Sequence, residues 1–481
     1  MSIQEQVIAW LARQEMEAYL VGGCVRDRLL GRPVYDLDVA VAGDGLALSR
    51  RLANHFRGAW YPLDQARSTG RAILRSREGG RLVVDVARFR GETLEADLAD
   101  RDFTVNALAA DVRTPSLVID RHGGLADLEA RLIRPVSEAS IRHDPVRALR
   151  AIRLSAELGF ALAPETERLL RRDGPALACV AGERLRDELA RLLTLPHAAP
   201  YLERFDTLGL LTLLFPELEP LRGLAQPPPH HLDALTHSLE TVHALETLLN
   251  QQQATPNIQH LLPFADRIQT HLAQPLSEAR PRLVAFKLAA LLHDTGKPAA
   301  RSVDENGRLH FPGHHKEGAR LTARALRRLR FNNAELHLAE TVVQHHMRPL
   351  LLARQESVSA RAIYRFFRET GQAGVEVLLH ALADHRATYA PGARDDCGPE
   401  LLALTGRMLA DYWERQAERI APPPLIDGYD LLRELGLQPG PHIGELLEAV
   451  REAQVSGEVR NRDEALALVR DLWAGRGAGR I

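Results

Sequence analysis

The stretch Leu20 to Val39, LVGGCVRDRLLGRPVYDLDV, constrains the fold more than any other part of the chain. Gly22 and Gly23 close an apolar strand, Ala18 to Val21, and precede a short helix, Val25 to Leu30. That order lets backbone N–H groups approach a triphosphate. Two aspartates follow, Asp36 and Asp38, with one residue between them. If Tyr35 to Val41 is a strand, residues two apart share a face, and both carboxylates point to one side. Like charges at that spacing repel, and a pair of Mg²⁺ ions is the usual solution at phosphoryl-transfer sites. A polar turn ending a strand would also give Asp-x-Asp, but the paired glycines upstream favour a site.

Strand-like segments at Ala72 to Arg75 and Arg81 to Ala87 alternate with helical ones at Gln4 to Gln14 and Leu46 to Phe56, so residues 1–115 read as a small α/β domain. Asp85 lies among valines in LVVDVARF. A charge there is either at a sheet edge or in a site, and with Asp36 and Asp38 it makes a natural third metal carboxylate. In ADLADRDFTVNALAAD, residues 96–111, Arg101, Asp102 and Asn106 sit at the start of an apolar element. A charged cap accounts for them as well as a site does.

From residue 111 the pattern turns helical. Asp144 opens a helix with Pro145 in its first turn, and Arg147, Arg150 and Arg153 follow at intervals of three along one face. A solvated basic face is one reading. The other is a base-selecting pocket, in which the Asp144 carboxylate accepts from an exocyclic amine while Arg147 donates to ring nitrogen or carbonyl. The amphipathic helix 182–193 reads as structural.

QPPPHH, residues 226–231, marks a boundary because three prolines block helix and sheet. A polar, Gln-rich linker or insertion runs from about 250 to 280. Around it lie five ligand-competent stations: His237, the adjacent His293 and Asp294, His314 with His315, His345 with His346, and Asp384. Imidazoles and carboxylates projecting from several helices hold one or two divalent metals. After PGARDDCGPE, residues 391–400, the turn LGLQPGPHIG, residues 435–444, either exposes N–H groups to an RNA phosphate or simply joins two helices.

At 481 residues the chain exceeds one ordinary core, and about three or four domains are expected. No run of about 18 apolar residues occurs and MSIQEQVIAW lacks an export pattern, so no membrane span and a cytoplasmic location are expected. Cys24, Cys179 and Cys397 have no metal spacing and make no disulfide framework. The net charge of -2 is a weak veto on nucleic acid, since local positive potential decides phosphate binding. Lysine occurs only at 287, 297 and 316, so almost all positive charge is arginine.

GGxVRDxLLGxxxxDLDV, RDFTVNALA and DPVRALRAIR, in this order, resemble the class II tRNA nucleotidyltransferase and bacterial poly(A) polymerase family over residues 18–193. The histidine region resembles the HD phosphohydrolase domain that some members carry, and LIDGYDLL to REAQVSGEV is similar to the C-terminal piece of HD-containing tRNA nucleotidyltransferases. The resemblance implies an α+β protein: an α/β nucleotidyltransferase head (1–115), then all-helical neck (116–225), HD (226–390) and C-terminal tRNA-binding (391–481) domains. It implies addition of CCA to tRNA 3′ ends from CTP and ATP, with no protein partner indicated. Asp36 and Asp38 would hold Mg²⁺, with Asp85 third. Gly22, Gly23 and Arg26 would contact phosphates; Arg101, Asp102 and Asn106 would sit by ribose and phosphates; Asp144 and Arg147, with Arg150 on the same helix, would form the nucleotide-selecting pocket. His237, His293, Asp294 and Asp384 would be HD ligands, with His314 and His346 completing a two-metal version that takes Mg²⁺, Mn²⁺, Ni²⁺ or Co²⁺. By sequence, His315 and His345 compete for those last two places.

Three departures from the family pattern stand out. Asp100 replaces the first of two usual arginines, and His143 replaces the usual glutamate before Asp144. The segment Arg88 to Leu98 is short where CCA-adding members carry a longer loop and CC-adding members lack it, which makes CC-only addition the chief variant. The alternatives are a poly(A) polymerase, or chiefly an HD phosphohydrolase acting on cyclic or terminal phosphates behind a degenerate first domain.

Overall fold

Alternating residues of the N-terminal segment pair into one seven-stranded sheet of order β3-β4-β5-β2-β1-β6-β7. The strands are β1 (Ala18–Val21), β2 (Asp36–Val41), β3 (Ala59–Asp64), β4 (Thr69–Arg75), β5 (Arg81–Arg88), β6 (Leu108–Asp111) and β7 (Val118–Asp120). Only β2 and β5 run parallel. Parallel neighbours need a crossover, and here it contains the helix Gly45–His55 and the β3–β4 hairpin. Leu48, Leu52 and Ala53 bury the inner side of that helix. In β2, Leu37 and Val39 are buried while Asp36 and Asp38 lie on the opposite face. Strand β3 carries Pro62 and has no alternating apolar pattern; it sits at the sheet edge, where a missing N–H is tolerated.

The structure, a computed structural model, describes residues 2–75, 80–250, 261–276, 280–390, 392–393 and 397–478. Packing divides the chain into two units, Met1–Leu195 with Arg204–Leu214, and Pro196–Glu203 with Phe215–Ile481. In the first unit the sheet is followed by helices that include Val146–Leu158 and Gly182–Leu193. Nine residues of Val146–Leu158 are buried, Arg147 and Arg153 among them, which excludes a solvated basic face.

The second unit is helical apart from one short ribbon among its described residues. Helices Ala234–Asn250, Arg282–Leu292, His314–Arg328, Asn333–His345 and Gly374–Thr388 form its centre. Two buried ion pairs brace it: Lys287 Nζ to Glu246 at 2.7 Å, and Arg282 Nε to Glu376 at 2.6 Å. The stretch read as a linker at 250–280 contains a packed helix, Ala265–Ala273, whose His271 donates to Glu376 at 3.1 Å. Residues 251–260 and 277–279 of that stretch, and 391 and 394–396 of PGARDDCGPE, lie outside the described residues. The helices Gly428–Leu435, Pro441–Ser456 and Arg462–Ala478 share a core of Leu431, Leu446, Val450 and Val469. Residues 436–440 join the first two of these helices, with Pro441 opening the second. No described helix is long and apolar enough to cross a membrane.

Candidate functional site

The parallel register of β2 and β5 sets Asp38 opposite Asp85, so Asp36, Asp38 and Asp85 share one face of the sheet. Asp36 and Asp38 stand in a cavity of about 1100 Å³ that is also lined by Gly22, Arg26, Arg101 and Asp144. A second cavity of about 690 Å³ meets it at Asp38, Arg90 and Arg101. Asp38 faces the cavity, yet it lies at the floor, where surrounding protein limits hydration. That desolvation, with Asp85 and Asp36 adding to it against the opposing pull of Arg101, pushes its pKa up to about 6. Two hard oxygen donors on one face, one of them poorly tolerant of its own charge, suit a divalent cation.

Asp85 does not stand free as a third metal ligand. Arg71, its register partner on β4, donates to both carboxylate oxygens at 2.6 and 2.7 Å. Asp36, Asp38 and Asp85 are not gathered into one ligand-sized cluster, and both such clusters among the described residues lie in the second unit.

Gly22 has φ +74°, and a Cβ there would stand 2.9 Å from the Arg101 guanidinium, so only glycine lets this turn pass so close. Arg101 is held by Asp97 at 2.8 Å, and Arg26 donates to Asn106 at 2.6 Å. Asn106 donates in turn to Asp102, which also accepts from Arg150 at 3.1 Å. Burial opposes the Asp102 charge, but Arg150 and these hydrogen bonds hold its pKa below the usual carboxylate range. Arg150 and Arg153 converge on Glu188 at 2.9 and 2.6 Å. Sequence reading treated the helix of Glu188 as merely structural; Arg184 and Glu188 on that helix line the cavity.

The expected base-reading pair is only partly formed. The Arg147 guanidinium donates to the carbonyls of Asp100 at 2.7 Å, Ser140 at 3.2 Å and Arg101 at 3.3 Å. Its Nε, 4.0 Å from Asp144, has no hydrogen-bond partner, and Arg184 is the side chain bonded to Asp144, at 2.7 Å. Where the usual arginine is replaced by Asp100, Arg90 reaches in and donates to the Asp100 carbonyl at 3.0 Å.

In the second unit the five stations converge. Two ligand groups form, His237 with His293 and Asp384, and Asp294 with His314 and His346. His315 and His345 take no part in either. Gly296 makes this possible, because a Cβ there would lie 2.1 Å from the His314 carbonyl. His293, His314 and His346 each bond through Nδ1 to the carbonyl three residues earlier, Ala290, Phe311 and Val343, at 2.7 to 2.9 Å. A carbonyl only accepts, so each Nδ1 donates and each Nε2 of the neutral ring is a lone pair. The Nε2 atoms of His314 and His346 then face one another at 3.2 Å, and His293 Nε2 faces Asp294 at 3.2 Å. Lone pairs aimed at each other need a cation or a proton between them.

Titration distinguishes the two contacts: against burial, Asp294 and Asp384 raise the pKa of His293, so a proton can fill the His293–Asp294 contact, whereas the His314–His346 pair favours a cation. Burial, then the neighbouring imidazoles, holds His346 well below its ordinary pKa, and burial lowers His314. Against burial, His293 and Lys297 hold Asp294 ionised, and His237 holds Asp384 ionised, both well below the usual range. Sequence reading missed three residues here. Lys297 binds Asp294 and Gln226, each at 2.5 Å; the His230 ring lies 5.0 Å from that of His237; and His380 is fully buried beside His293. Lys297, three residues after Asp294, was the detectable one, since i and i+3 side chains meet in a helical turn.

Family models match in four places: "Poly A polymerase head domain" at 18–134, "Probable RNA and SrmB- binding site of polymerase A" at 159–221, "HD domain" at 235–387 and "tRNA nucleotidyltransferase domain 2 putative" at 421–469. The chain is 37% identical to an A-adding tRNA nucleotidyltransferase of Deinococcus radiodurans, covering 95% of each. It is 35% identical to a CC-adding tRNA nucleotidyltransferase of Thermus thermophilus, covering 96% of this chain and 95% of that one. A solved Thermotoga maritima CCA-adding enzyme complexed with tRNA is similar in fold, with TM-score 0.60, 23% identity and coverage of 97% and 94%.

Proposed function

Because the chain belongs to the tRNA nucleotidyltransferase family, we propose that it builds the CCA terminus of tRNA, in whole or in part, from CTP and ATP. The observation that carries this is the pairing of Asp36 and Asp38 at the floor of an arginine-lined cavity beside the Gly22 turn. The tRNA 3′-hydroxyl oxygen bonds to the α-phosphorus while the bond to the β-phosphate oxygen breaks and pyrophosphate leaves. Mg²⁺ held by Asp36 and Asp38, when bound, acidifies that hydroxyl and offsets triphosphate charge. Asp85, fixed by Arg71, stands beside the pair as the third carboxylate. The N–H groups of Gly22 and Gly23, with Arg26 and Arg101, meet the phosphates. Arg90 supplies positive charge that Asp100 does not. Asp102, Asn106 and Arg150 hold the ribose side to the helix Val146–Leu158, which carries Arg147 and follows Asp144. Asp144 and the spare Nε of Arg147 read the base, which displaces Arg184 from Asp144.

How many nucleotides are added turns on one connection. Five residues, 89–93, join β5 to the helix Leu94–Ala99, and the resemblance ties a longer loop here to addition of the full CCA. This favours a chain that adds part of CCA. A tRNA ending at the discriminator base, given CTP and ATP, decides it. Growth by three nucleotides means CCA and growth by two means CC; no growth, with one nucleotide added to tRNA ending in CC, means A only. Tailing of arbitrary RNA with ATP alone would instead make it a poly(A) polymerase.

The histidine cluster of the second unit adds a metal-dependent phosphohydrolase, with Mg²⁺, Mn²⁺, Ni²⁺ or Co²⁺ as candidate ions. Working borders near residues 115, 225 and 390 separate head, neck, HD and tail. Substrates such as tRNA and nucleoside triphosphates accord with a cytoplasmic location.

A further inference from the structure

His380 belongs to neither three-residue ligand group, yet it is fully buried and neither ring nitrogen has a hydrogen-bond partner. Such a group needs an explanation, because a neutral imidazole carries one donor and one acceptor that both lose water on burial. Its place supplies one. His380 precedes Asp384 by four residues on the helix Gly374–Thr388, so the two side chains share a face. Its ring centroid lies 4.9 Å from that of His293 and 5.7 Å from that of His346, set edge-on to both. It therefore stands beside a member of each ligand group, since the His293 and His346 rings also lie 5.3 Å from one another.

We propose that His380 is a further ligand of the HD centre, joining His237, His293 and Asp384 around one ion, and that this third imidazole makes the position select a borderline transition ion over Mg²⁺. Imidazole-rich sets suit ions such as Co²⁺ and Ni²⁺, whereas Mg²⁺ takes oxygen ligands. This rests on the reading of the second unit as a metal site.

The test is Co²⁺ binding to the full-length protein carrying Asp36→Asn and Asp38→Asn, which removes the paired carboxylates of the first unit, followed by calorimetry and by the visible absorption of the bound ion. With His380 present, Co²⁺ binds tightly, resists a large excess of Mg²⁺ and raises the melting temperature. With His380→Leu, Co²⁺ affinity falls at least about 10-fold, the visible bands shift, the preference over Mg²⁺ narrows, and the metal-free melting temperature is unchanged or higher. An unchanged affinity and spectrum in His380→Leu overturn the proposal. If that variant does not fold, His380→Gln is titrated by the same criteria. Failure of the His380-containing protein to bind Co²⁺ at all would instead overturn the metal reading of the second unit, so the two failures are distinguishable.

Discussion

The two polar centres hold charge in opposite ways. In the first unit the cavity residues satisfy one another: Arg71 closes on Asp85, Arg101 on Asp97, and Arg150 and Arg153 on Glu188. Asp36 and Asp38 are left to the cavity, and the whole is wide and lined by arginine. In the second unit lone pairs face lone pairs and carboxylates at 3.2 Å. On the reading proposed above, the first would be a balanced frame with two carboxylates kept for an ion that arrives with a polyanion, and the second would be complete only around a resident cation. Oxygen donors in an open cleft and a mixed imidazole–carboxylate set in a buried one also separate the ions each would take.

The largest effect expected is functional separation. Asp36→Asn with Asp38→Asn should lower nucleotide addition by about 10³-fold or more, the scale of losing several kcal/mol of electrostatic stabilisation, while metal-dependent phosphohydrolysis stays within about twofold. His293→Ala with Asp294→Ala should do the reverse. Both activities are measured on the same preparations, with tRNA and CTP in one assay and a cyclic phosphodiester in the other. Loss of both activities in either variant would break the comparison, because it would make the two centres one functional system.

Next comes the frame itself. Glu188→Gln leaves Arg150 and Arg153, the latter nearly buried, without their shared charge, although Asp102 and Glu157 still contact them. The expected cost is about 2 kcal/mol, the scale of leaving buried donors poorly matched, read from urea unfolding of the first unit. His346→Leu in metal-free protein should cost nothing or stabilise the second unit, since it removes a lone pair from an unfavourable face-to-face pair. Equal destabilisation by the two substitutions would erase the contrast between a balanced frame and an incomplete one.

How much of this was legible in the sequence follows from the same contrast. The shared face of Asp36 and Asp38 and the convergence of the five stations were readable because these residues stand at short spacing or are of unusual type. The strand and helix pattern around Asp36 was readable too, with ends shifted by a residue or more: the helix begins at Gly23 and β2 at Asp36. The partners were not readable. Arg71 meets Asp85 only through the β4–β5 register, and Glu188 meets Arg153 across 35 residues, separations that no local period encodes. Strand β3 escaped because Pro62 and its exposed face remove the alternation that marks a strand. His380 escaped because a single histidine in an apolar helix looks like core until its neighbours are known.

The smallest expected effect concerns Glu376, and it refines where the contrast lies. Glu376 sits in the second unit on the same helix as His380 and Asp384, but it resembles the first unit in being closed, accepting from Arg282 at 2.6 Å and from His271 at 3.1 Å. Burial raises its pKa, but His271 and Arg282 outweigh this and hold it below the usual glutamate range. Its folded pKa is thus lower than its unfolded one, so in the interval between them the unfolded chain binds more protons and stability rises with pH. The contribution is fully present above the ordinary glutamate pKa of about 4.3 and is lost as pH falls through the folded value. Calorimetry of the second unit between pH 6 and pH 3 should show this loss, and Glu376→Gln should flatten it. A variant with the original slope would mean that other carboxylates carry the acid sensitivity. A flattened slope would show that the helix bearing His380 is anchored by a closed ion network one turn before it enters the open one, so that what distinguishes the metal centre is local to its ligands and is not a property of the unit that holds them.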